Sequence, residues 1–373
     1  MKKITIIQER LPQYRKAFFN LLKGELIKHN IELALIYGKA AYSETLKEDE
    51  VDLEWAIKIS NRHIRLGKNE FIWQPCMKHL TNSNMIIVEQ ANKLILNYFL
   101  IFFRKLIKPK ICFWGHGTNL KMSNSDWKNK FRFFFLKKCD WWFGYTEGVK
   151  DFLIKRNYPE RRITVVQNAI ETYHLRKVYS EINKSELDEL KNQLGIFSDK
   201  VGIFCGAMYK EKRIDFILQT CYRIKREIPD FQMIFIGSGN DSYIVSEASR
   251  IYNWIHYVGP KFGYDRVGYF KISLIQLMPG AVGLGILDSF ALETPIITTN
   301  QYYHGPEIEY LENEKNGIIT KNNVEDYSKV IIDFLLNRKY MEMIGYCKQS
   351  AEKYTIEAMV ANFKNGILDC LNN

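Results

Sequence analysis

Short apolar runs alternate along this chain with longer stretches in which apolar residues recur every third or fourth position. The short runs are rich in β-branched residues and nearly continuous, as buried strands of a parallel sheet are, and the longer stretches have the period of crossover helices. Strands are predicted at Ile4–Gln8, Glu32–Tyr37, Met85–Glu89, Lys110–Trp114, Trp142–Tyr145 and Thr164–Gln167. A second series covers Lys200–Phe204, Gln232–Ile236, Ile255–Val258, Leu274–Met278 and Pro295–Thr298. Between the two series lies SEINKSELDELKNQLGIFSDK (180–200), polar and helical, which marks the start of a second domain. Each half reads as a doubly wound α/β domain, a class that binds ligands at the carboxyl ends of its strands.

Length agrees with that division, because 373 residues exceed what one hydrophobic core usually organises. The tail AEKYTIEAMVANFKNGILDCLNN has apolar residues at helical spacing, namely Tyr354, Ile356, Met359, Val360 and Phe363. Ile367, Leu368 and Leu371 follow Gly366.

Charge adds a partner class. Lys and Arg number 53 against 42 Asp and Glu, a net +11, which favours contact with nucleic acid, a phosphorylated substrate or an acidic membrane surface. No nucleic-acid-binding motif accompanies the charge, so nucleic acid is not expected as a partner. Part of the excess is local: YFLIFFRKLIKPK (98–110) and DWKNKFRFFFLKK (126–138) combine aromatic runs with basic residues, the composition of an interfacial amphipathic surface. The seven cysteines are scattered, odd in number and never in CxxC spacing, which points to a reducing cytoplasm rather than to disulfides or zinc. The N-terminal apolar run is too short for a signal peptide, and no uncharged apolar segment reaches the ~18 residues of a membrane span. The expectation is a cytoplasmic protein, soluble or bound at a membrane surface.

The stretch PGAVGLGILDSFALETPIIT (279–298) concentrates the candidate chemistry. It reads as a turn after a strand, then a helix, then Pro295 and the next strand. Gly283 and Gly285 let backbone N–H groups approach a ligand, and the helix start adds partial positive charge, a combination suited to a diphosphate. Asp288 falls in the first helical turn, where it can complement the helix dipole or accept hydrogen bonds from sugar hydroxyls. His116, in the glycine-bracketed loop WGHG, is placed to meet a ligand, and Trp114 beside it reads as core.

The ordered set GAMYKEKRIDFIL (206–218), MIFIGSGN (233–240), HYVGP (256–260), the 279–298 stretch and PEIEYLENEKNGIIT (306–320) resembles the C-terminal half of the glycosyltransferases of family 4. FWGHGTN (113–119), KKCDWWFGYTEGVKDFLI (137–154) and ITVVQNAIE (163–171) resemble loops of that family's N-terminal half. The resemblance implies the GT-B fold, two Rossmann-like doubly wound domains facing each other across a cleft. Residues 1–175, joined by a C-terminal helix at 354–373, would form the acceptor-side domain, and residues 176–353 the nucleotide-sugar domain. It implies retaining transfer of a sugar from a nucleotide-diphosphate-sugar donor to a glycan or polyprenyl-linked acceptor, in assembly of a cell-surface polysaccharide. No cofactor beyond the donor is implied, and no Asp-x-Asp pair suggests a metal.

Residue by residue, the resemblance implies catalytic roles for His116 and Lys212. Donor contacts fall to Gly206, Lys212, Arg213, Gly237, Val282, Gly283, Leu284, Gly285, Asp288 and Ser289. Arg10, Tyr14, Arg15 and Glu147 belong to the acceptor side, while Glu307 and Asn316 support the last βα turn. Two departures stand out. Asp288 replaces the second acid of the family's Glu-x7-Glu motif, and Gly280 stands where the first is expected. Ala207 occupies the place of a diphosphate-binding arginine. A catalytically silent nucleotide- or glycan-binding paralogue, or a nucleotide-sugar epimerase on the same fold, is the alternative.

Overall fold

The computed structural model describes residues 1–39, 49–67, 69–117, 135–301, 303–337 and 340–373. The chain forms two compact units, Met1–Ile170 with Ile356–Asn373, and Glu171–Thr355. The first contains β1 (Lys2–Gln8), β2 (Ile31–Gly38), β3 (Ile57–Ile59), the antiparallel pair β4 (Arg62–Leu66) and β5 (Asn69–Trp73), β6 (Met85–Glu89), β7 (Lys110–Gly115), β8 (Trp141–Gly144) and β9 (Ile163–Val165). Seven of these make one parallel sheet in the order β3-β2-β1-β6-β7-β8-β9. Chain order runs outward from β1 through β2 to β3, then restarts at β6 on the other side of β1. That reversal creates a crevice at the carboxyl ends of β1 and β6.

The second unit contains β10 (Val201–Cys205), β11 (Gln232–Ile236), β12 (Ile255–Tyr257), β13 (Ile275–Leu277), β14 (Ile296–Thr299) and β15 (Gly317–Thr320). They form a six-stranded parallel sheet in the order β12-β11-β10-β13-β14-β15, which reverses between β10 and β13. The helix Lys184–Leu194 has both termini satisfied. Asn183 and Glu186 form a capping box, and Gly195 closes the end in the left-handed conformation.

Core strands follow the predicted apolar runs because burial on both faces leaves little room for polar residues. β10, for example, is buried at every position. Four strands were not predicted. β3 has only three residues, β4 is exposed throughout, β5 pairs with it as a hairpin, and β15 (GIIT) is short and opens on glycine.

The final helix, Ile356–Asn372, belongs to the first unit. Its buried Ile356, Met359, Val360, Phe363, Ile367 and Cys370 lie on one stripe. Phe363 stacks on Phe143 at 4.4 Å and meets Phe18 and Trp114 edge-on. Lys110 Nζ donates to the Cys370 carbonyl at 2.6 Å near the helix end. Among the described residues no helix is long and apolar enough to cross a membrane.

Candidate active site

In the second unit the reversal between β10 and β13 brings two loops together, Gly206–Arg213 and Met278–Gly285. The Ala281 N–H donates to the Glu211 carbonyl at 2.8 Å. At Gly280 the loops touch so closely that a Cβ would lie 2.3 Å from Glu211 O and 2.6 Å from Lys212 Cα. Only glycine fits that contact. The position where the resemblance led one to expect a first acid is therefore closed to any side chain.

That contact delivers Lys212. Its Nζ donates to the Ala281 carbonyl and, weakly, to Met278 Sδ at 3.8 Å. An ammonium has three donors, and among the described residues no carboxylate pairs with this one. Desolvation lowers its pKa to about 8. An under-partnered, desolvated cation at a strand-order reversal can take an anion as its partner.

The Gly-rich turn is held from below by a histidine that sequence reasoning passed over. His304 Nδ1 accepts from the Val282 N–H at 3.1 Å, so the ring proton is on Nε2, which donates to the Thr299 carbonyl at 2.8 Å. Burial lowers the pKa of His304, in keeping with this neutral form. Gly305 N–H closes the same turn on the Val282 carbonyl at 2.6 Å. The buried Glu307 carboxylate lies beside Gly305 and near Gly283. Among the described residues, the N–H groups of Gly283, Leu284 and Gly285 find no acceptor within the chain. The turn thus presents three amides on the stretch that also carries the Lys212 contact at Ala281.

Several predicted donor contacts have other occupations. Asp288 is buried in the helix Gly285–Ala291, where Arg266 takes both its oxygens at 2.8 Å. Burial raises the Asp288 pKa and the guanidinium opposes that rise. A ribose role is not what this geometry supports, since the carboxylate is already engaged in a fork-to-fork pair. Ser289 is fully buried and donates to the Thr294 carbonyl at 2.6 Å. The Arg213 guanidinium lies 4.0 Å over the Phe216 ring and bonds Asn322 and the Pro279 carbonyl. Gly206 and Gly237 are structural as well, their N–H groups donating to Ile236 O and Gly259 O, both at 3.0 Å. A Cβ at Gly237, whose φ is 138°, would sit 1.9 Å from Gly206 O. Val282 spends its N–H on His304. Lys212, Gly283, Leu284 and Gly285 remain available. Asn316 ties Tyr310, Glu312 and Ser350 together, the supporting role expected of it.

In the first unit the β1/β6 reversal holds a cavity of about 270 Å³ lined by Gln8, Glu9, Arg10, Pro12, Tyr14, Arg15, Glu89, Ala91, Lys93 and Tyr145. Three of the predicted acceptor-side residues, Arg10, Tyr14 and Arg15, meet here. Arg10 pairs with Asp49 at 2.6 Å and Lys93 with Glu9 at 2.6 Å. Glu89 accepts from the Glu9 N–H at 3.0 Å. Arg15, only 3% exposed, lies 4.6 Å over the Trp114 ring and reaches Tyr145 OH at 3.5 Å. The exposed His116 meets the same Tyr145 ring edge-on at 6.2 Å. Glu147 is exposed at the start of the helix Glu147–Ile154 and does not line the cavity. Glu89, Lys93 and Tyr145 carried no sequence signal beyond lying at or after the end of a strand.

Residues 187–351 match the family model described as glycosyl transferases group 1. An uncharacterized glycosyltransferase of Haemophilus influenzae is 25% identical over 188 residues, 48% of this chain and 51% of that protein. The chain spans about half the length of the curated relatives it matches. Among solved structures, a glycosyltransferase from Rickettsia africae superposes with a TM-score of 0.73 at 14% identity, covering 100% of this chain and 99% of that one. Anabaena HepE, solved in complex with UDP, gives 0.71 at 11% identity, covering 99% and 100%. The fold is GT-B.

Proposed function

We propose that this protein is a retaining, metal-independent glycosyltransferase of the family 4 type. It transfers a sugar from a nucleotide-diphosphate sugar to a glycan or lipid-linked acceptor in the cytoplasm, in assembly of a cell-surface polysaccharide. The observation that carries the reading is Lys212, a desolvated ammonium without a carboxylate partner among the described residues. Its loop is tied to the turn that bears the unused amides of Gly283, Leu284 and Gly285. Together they supply positive charge and preorganised donors for a departing diphosphate, the stabilisation such a transfer needs most. The donor's own phosphate oxygen can take the proton of the acceptor hydroxyl, so no protein nucleophile is required. His116 is the candidate for contact with the transferred sugar, and the cavity at Arg10, Tyr14 and Arg15 the candidate for the acceptor. The match to a glycosyl transferase group 1 model and the UDP complex of HepE support a nucleotide-sugar donor.

One observation favours a second reading, ligand binding without turnover: at Gly280 no acid can contact the transferred sugar. A panel of nucleotide sugars, uridine forms first, separates the two. Release of the nucleoside diphosphate, with or without added acceptor, is the result expected of the enzyme. Saturable binding of the same donors without any release would leave only the binding protein.

A further inference from the structure

We propose that the first unit docks on an anionic lipid surface through Phe102, Phe103 and Leu106, rimmed by Lys105, Lys108 and Lys137. The site lies where the helix Ile95–Phe102 passes into the turn Arg104–Leu106. Phe102 is 76% exposed and Leu106 80%, while the buried Leu96, Leu100 and Ile101 face the core. Phe102 and Phe103 meet edge-on at 5.0 Å, and the Leu106 N–H donates to the Phe103 carbonyl at 2.8 Å, which keeps the exposed Leu106 on the same turn as the two rings. The Arg104–Asp140 ion pair draws in the segment that carries Lys137.

Charge decides what covers this patch. From Gln90 to Gly117 the chain has no acidic residue, and Asp140 nearby is already engaged by Arg104. Lys105, Lys108 and Lys137 are exposed, and among the described residues none is paired with a carboxylate. An apolar tip ringed by free ammonium groups matches the boundary of an anionic bilayer, where rings enter the acyl edge and lysines meet phosphates. Three side chains are also a small area for a stable protein interface. Of the two segments singled out in the sequence, 98–110 supplies most of this surface, whereas 126–134 lies outside the described residues. The inference is independent of the proposed donor chemistry, which involves other residues.

Cosedimentation of the full chain with vesicles tests it, using phosphatidylcholine with about 30 mol% phosphatidylglycerol against phosphatidylcholine alone. The wild type is expected to partition onto the anionic vesicles, less so as salt rises. The variant Lys105→Gln/Lys108→Gln/Lys137→Gln should lose more than about tenfold of that partitioning. Phe102→Ser/Leu106→Ser should lose as much while keeping its melting temperature, since both side chains are exposed. Equal partitioning onto both vesicle types, or wild-type partitioning of the lysine variant, would overturn the proposal. So would a wild type that stays in the supernatant as a dimer which Phe102→Ser/Leu106→Ser converts to monomer, because the patch would then join two copies of the chain.

Discussion

Replacing Gly280 by alanine adds one methyl group where the loops after β10 and β13 meet. The new Cβ would lie 2.3 Å from Glu211 O and 2.6 Å from both Lys212 C and Cα. All three are backbone atoms, so no side chain can swing aside and the loops must separate. Overpacking of this kind costs about 1–3 kcal/mol. Separation also endangers the Ala281–Glu211 hydrogen bond, worth about 1 kcal/mol more. A loss of about 2–4 kcal/mol is expected, which for a unit of this size lowers the melting temperature by roughly 5–15 °C. Gly283→Ala is the internal control. Its Cβ meets only Glu307 Oε2 at 3.9 Å, an ordinary contact, so its stability should stay within about 0.5 kcal/mol of wild type. Differential scanning calorimetry of the two variants reads the contrast directly. If Gly280→Ala melts with the wild type, the loops are not in the contact described, and nothing holds Lys212 against the turn.

Two further outcomes are expected. Asp288→Asn leaves the Arg266 guanidinium buried beside a neutral amide and should cost about 3–5 kcal/mol in urea unfolding, with Arg266→Met/Asp288→Leu recovering most of it; a change below about 1 kcal/mol would make the pair dispensable. The folded-state pKa of Lys212, about 8, lies below that of an unfolded lysine, so the unfolded chain holds the proton more tightly between those values. Nucleoside diphosphate affinity should therefore fall as pH rises through about 8, while this lysine's contribution to stability rises; affinity that is flat from pH 7 to about 9.5 would contradict that assignment.

Most of the fold was legible because a parallel sheet buried on both faces imposes apolar runs that sequence displays, as at Ile4–Gln8 and Gln232–Ile236. The Gly-rich turn at 280–285 was legible for the same kind of reason, since a strand, glycines and a helical period follow one another locally. Pairings between distant segments were not. Arg266 reaches Asp288 across 22 positions and no local pattern marks either as the other's partner. His304 holds Val282 from the far side of β14, and a lone histidine after a strand has no period to betray it. Gly280 shows the converse: a glycine there is visible in sequence, but the backbone contact that requires it is a property of tertiary packing.

In the proposed reaction the desolvated Lys212 ammonium meets a diphosphate. Titration calorimetry of UDP into wild type and Lys212→Met at pH 7 tests it most directly, with melting temperatures of the same samples. Methionine retains the buried stem and removes the charge, so the fold should be no less stable, because a desolvated cation without a carboxylate partner has been relieved. UDP affinity should fall at least about tenfold, the value of one charge-assisted contact of about 1.4 kcal/mol or more. An affinity within about twofold of wild type, in a variant that melts normally, would contradict the account.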